Sequence, residues 1–68
     1  MLSDKTVQIL VVEDDEIDFK ALKYAFEELK IANPVVRAEN GVEALEILRG
    51  ENGHEKLVQP YMILILPL

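Results

Sequence analysis

A chain of 68 residues carries one folding unit at most, and a chain of this size buries only about 60% of its unfolded surface. It contains no cysteine, which excludes disulfides, zinc thiolates and thiol nucleophiles and fits a reducing cytoplasm. Its formal charge of −6 repels nucleic-acid phosphates and disfavours docking on an anionic membrane surface.

The opening residues MLSDKTVQIL have no basic segment leading into a long apolar stretch, so no signal peptide is expected. Val7 to Val12 is short, β-branched and almost wholly apolar. That pattern predicts a strand buried on both faces, as in a parallel sheet. The acidic cluster Glu13-Asp14-Asp15-Glu16 follows at once. Ile17 to Ile31 then has helical spacing, with Phe19, Leu22, Phe26 and Leu29 on one face. Glu16 and Lys20 form an i,i+4 pair of favourable orientation. Asn33-Pro34 predicts the end of the helix, because the residue before proline is pushed out of the α region.

Val35 to Ala38 reads as a second strand. Asn40-Gly41 is a turn in which Asn40 can cap a helix over Gly41 to Arg49, with Glu43 three residues on as in a capping box. Val42, Ala44, Leu45 and Leu48 supply that helix's apolar face, and Gly50 fits its stop. Glu51 to Gln59 is polar and predicts a surface loop. Tyr61 to Leu66 is a third apolar strand, with Pro67 as its breaker and a run too short to span a bilayer. The order β-α-β-α-β predicts an α/β fold with a three-stranded parallel sheet and right-handed crossovers.

The acidic cluster is the strongest candidate site. In an open α/β sheet, ligands bind beyond the carboxyl ends of the strands, where Glu13 and Asp14 fall. Two carboxylates there suit a hard cation such as Mg²⁺. Helix capping by Asp14 or Asp15 is the more ordinary use of acids at this position, and both uses are compatible. His54, the only histidine, stands in the polar loop and is expected to be solvated rather than a general base. No Ser/His/Asp, zinc or nucleotide-binding pattern is present.

Ile9 to Glu16 (ILVVEDDE) resembles the first strand and acidic pair of receiver domains of two-component response regulators. Arg37 to Leu45 (RAENGVEAL) resembles their second strand and second-helix entry, and Pro60 to Ile65 (PYMILI) their third strand. The wording is closest to stand-alone receivers that serve phytochrome-like histidine kinases. The resemblance implies a partial flavodoxin-like fold in residues 1–68, with strand order 2-1-3, one helix on each face, and a span matching the family's first half.

It further implies Glu13 and Asp14 as the acidic pair, with Asp14 on Mg²⁺ and a histidine kinase as partner. The departure is at Leu66, where such receivers carry the aspartate that is phosphorylated. The chain is therefore expected to be incompetent for phosphoryl transfer and no enzyme, with weak Mg²⁺ binding at best. Against a full receiver, its third strand lacks a covering neighbour. Self-association as a dimer is expected there, through Tyr61, Ile63 and Ile65. A non-catalytic, self-associating interaction module is the alternative reading.

Overall fold

Short β-branched runs become strands and amphipathic runs become helices, in the expected alternation. The computed structural model describes residues 7–66 and contains β1 (Gln8–Val12), α1 (Glu16–Glu28), β2 (Val35–Ala38), α2 (Gly41–Arg49) and β3 (Tyr61–Ile65). The sheet is parallel, in the order β2-β1-β3. Leu10 pairs with Val36 on one side and Ile63 on the other. With a strand on both edges, β1 buries Ile9, Leu10 and Val11 completely, as its unbroken apolar run requires.

Side chains alternate across the sheet. Leu10 and Ala38 face α2 and pack with Ala44, Ile47 and Leu57, flanked by Val12, Val36, Leu48 and Tyr61. Val35 and Arg37 face the other way, toward α1. There the Arg37 guanidinium lies 5.7 Å from the Phe19 ring centre, and Phe26 shares a small pocket with Val35. One helix thus covers each face. Between the helix and the second strand, the buried Asn33 amide donates to the Val7 carbonyl at 2.9 Å, tying the entry of β2 to the start of β1.

Asp15 caps α1 and the Glu16–Lys20 pair forms at 3.8 Å, fully on the surface. The helix ends before the expected Ile31. Leu29 is its cap, Lys30 takes a left-handed conformation at φ 59°, and the Ile31 N–H donates back to the Phe26 carbonyl at 2.8 Å. This is a Schellman closure with lysine where glycine is usual. It also corrects the proposed face. Phe19, Leu22 and Phe26 are half-buried, whereas Leu29, on the cap, is 70% exposed. Because a left-handed non-glycine residue costs roughly 1–2 kcal/mol, Lys30→Gly is expected to stabilise the fold by about 1 kcal/mol. Thermal unfolding should then shift upward by roughly 4–8 °C. A midpoint that stays or falls would count against this closure.

At α2, the Asn40 side chain accepts from the Glu43 N–H at 2.9 Å. The Glu43 carboxylate reaches back to the Glu39 N–H at 2.7 Å, one residue beyond the ordinary capping box. Gly50 closes the helix at φ 70°, and a Cβ there would stand 2.7 Å from that of Lys56. The buried stripe differs from expectation. It is Ala44, Ile47 and part of Leu48, while Val42 and Leu45 stay exposed. Nor is the segment after α2 purely superficial. Leu57 is buried, and its N–H donates to the Ile47 carbonyl at 3.1 Å. Leu66 lies one residue past β3, but its N–H still bonds the Val12 carbonyl at 2.9 Å. The proposed break at Pro67 lies outside the described residues. Among those residues, no helix is long and apolar enough to cross a membrane.

Candidate functional site

Parallel pairing brings the carboxyl ends of all three strands to one rim. Val12 is level with Ala38 and Ile65, so Glu13 and Leu66 are the next residues out. The Glu13 N–H donates to the Ala38 carbonyl at 2.9 Å, fixing where the first strand leaves the sheet. Leu66 is held on the other side by its bond to Val12. Glu13, Asp14 and Leu66 therefore share the rim.

The four consecutive acids divide their tasks. Glu13 is 3% exposed and its carboxylate accepts the Asp15 N–H at 3.0 Å. It turns back into its own loop rather than outward. Asp14 is exposed. Asp15 accepts from the Ile17 N–H at 2.8 Å and the Asp18 N–H at 3.4 Å, which is the capping role. Glu16 belongs to the helix surface. Among the described residues, no group of three or more His, Cys, Asp or Glu side chains is arranged to hold a metal ion.

One residue of the site escaped the reading of the sequence. Arg37, on β2, donates from Nε to the Glu13 carbonyl and from Nη2 to the Asp14 carbonyl, both at 3.1 Å. Its planar fork spans two successive backbone oxygens, which an ammonium cannot do. Phe19 lies beside it, and Glu39 approaches at 4.0 Å. Arg37 thus holds the acidic loop by its backbone and leaves the carboxylates uncommitted to it. The available signal was a lone arginine in an otherwise apolar strand.

His54 also departs from expectation. Its Nε2 lies 3.7 Å from Glu43 and 3.8 Å from Glu46, with the side chain 30% exposed. Asn52 bonds the same Glu46 carboxylate. The loop is therefore fastened to α2 by polar contacts as well as by Leu57, and His54 is not free in solvent.

The three expected interface residues separate. Tyr61 is half-buried against the α2-side core. Ile63 and Ile65 are 43% and 58% exposed. With Val12, Ala44, Leu45 and Leu48 they line an apolar trough of about 690 Å³. Among the described residues, the outer edge of β3 has no strand partner. Comparison with known proteins returns no match to a family model, to a curated protein or to a solved structure.

Proposed function

We propose that this chain is a receiver-like element of a two-component phosphorelay that engages a histidine kinase in the cytoplasm without accepting its phosphoryl group. The observation that carries the reading is the rim itself, where Leu66 stands beside the acidic residues Glu13 and Asp14. An acyl phosphate forms when a carboxylate oxygen attacks phosphorus as the donor leaves. The leucine side chain has no lone pair to attack with and no oxygen to ligate a metal. Magnesium would meet Asp14, with Glu13 already engaged by a backbone N–H. Since Mg²⁺ surrenders its waters reluctantly, weak binding follows.

The test incubates the chain with phosphorylated histidine kinases and Mg²⁺, reading complex formation and intact mass together. Binding without a hydroxylamine-labile adduct is the expected result, with no saturation at millimolar Mg²⁺ in calorimetry. An adduct on the chain would overturn the idea that it cannot accept phosphate. Absence of any complex would remove the kinase as partner.

A second reading is a non-catalytic self-associating module. The open edge of β3 and the exposed Ile63 and Ile65 favour it, since an unpaired edge beside apolar side chains is a template for another chain.

A further inference from the structure

We propose that the trough between α2 and β3 receives the α2 helix of a second copy of this chain, the two copies meeting face to face. The proposal rests on the self-association reading but places the contact on the sheet's face rather than its edge. α2 packs over β1 and β2, which leaves the strip above Ile63 and Ile65 uncovered. Beside that strip stands the exposed flank of α2, Val42 at 69% and Leu45 at 49%. Floor and ridge are thus neighbours in one molecule. A two-fold axis lays the ridge of each copy on the floor of the other, and the arrangement closes at two copies.

Charge selects the occupant. No residue lining the trough is charged, so a highly charged partner helix would set an unpaired charge against isoleucine, which is costly. Each copy carries −6, so copies can meet closely only through uncharged surface. α2 satisfies that condition on this flank. Its acids Glu43 and Glu46 are engaged on another side, near His54, and Val42 and Leu45 alone face the opening. A second α2 is therefore an occupant whose chemistry this chain already holds.

Edge-to-edge pairing of β3 strands would leave the trough open and Leu45 uninvolved, so substitutions on α2 separate the two arrangements. Sedimentation and light scattering across a dilution series should show a dimer for the unaltered chain. Leu45→Lys, on a half-exposed position, should weaken it at least about tenfold with an unchanged circular dichroism spectrum, as expected for a lysine charge forced into an apolar contact. Because the chain has no cysteine, an equimolar mixture of Leu45→Cys and Ile63→Cys chains should oxidise to the mixed disulfide dimer. That second arm decides the matter if Leu45→Lys does not fold. A monomer, an open-ended aggregate, a dimer of unchanged strength in Leu45→Lys, or failure to form the mixed disulfide would each overturn the proposal. A strong dimer indifferent to Leu45 would leave edge pairing standing.

Discussion

Leu10→Ala is expected to destabilise the fold by roughly 2–5 kcal/mol and to leave most of the chain unfolded at room temperature. Leu10 is wholly buried at the centre of the middle strand, against Ala38, Ala44, Ile47 and Leu57. Two of those four neighbours are already alanines and cannot move in to fill a void. The total stability available is small. At about 0.05–0.15 kcal/mol per residue, a domain of this length holds only some 3–10 kcal/mol. Urea unfolding followed by circular dichroism would measure the difference. A loss below about 1 kcal/mol, well under the usual range for such truncations, would mean that the α2 face is not packed as described.

Arg37→Ala should be the most damaging substitution at the rim, at roughly 2 kcal/mol. Two hydrogen bonds from a charged donor are lost, each ordinarily worth about 1.5–3 kcal/mol, and partial exposure of the side chain discounts their sum. The Glu13 and Asp14 carbonyls would then look to water, and Phe19 would lose its neighbour. A fall of roughly 8–16 °C in the unfolding midpoint corresponds to that loss in so small a domain. Arg37→Lys should recover less than half, because a lysine ammonium does not reproduce the fork. Full rescue by lysine would show that charge alone, and not the two-pronged geometry, holds the loop.

Sheet order and element sequence were legible because they follow from patterns of period two and period 3.6. Val7 to Val12 reads as a two-face buried strand, and β1 is the central strand. Asn40 and Gly50 bracket α2 as their chemistry dictates. What the sequence left obscure depended on neighbours it does not describe. Lys30 closes α1 in a conformation that nothing in a lysine announces. Val42 and Leu45 look as apolar as Ile47, and only the position of α2 over β1 and β2 decides which of them is covered. Leu57 sits in a polar stretch whose composition predicts exposure, yet its N–H finds the end of α2 and its side chain follows. At the rim, the acids were visible but the backbone hold of Arg37 was not, since it acts across the sheet between residues far apart in the chain.

The central position of β1 also governs the order in which the molecule can assemble. Its inner edge finds β2 soon after α1, but its other edge must wait for β3, where Gln8 meets Tyr61. During synthesis the most apolar strand therefore emerges first and is completed last. Loop closure over that span must be met before the pairing returns anything, so the final step carries the long-range contacts that slow folding most. A nascent chain of this sequence passes through a two-stranded stage whose open edge belongs to β1 itself, the segment least able to remain in water.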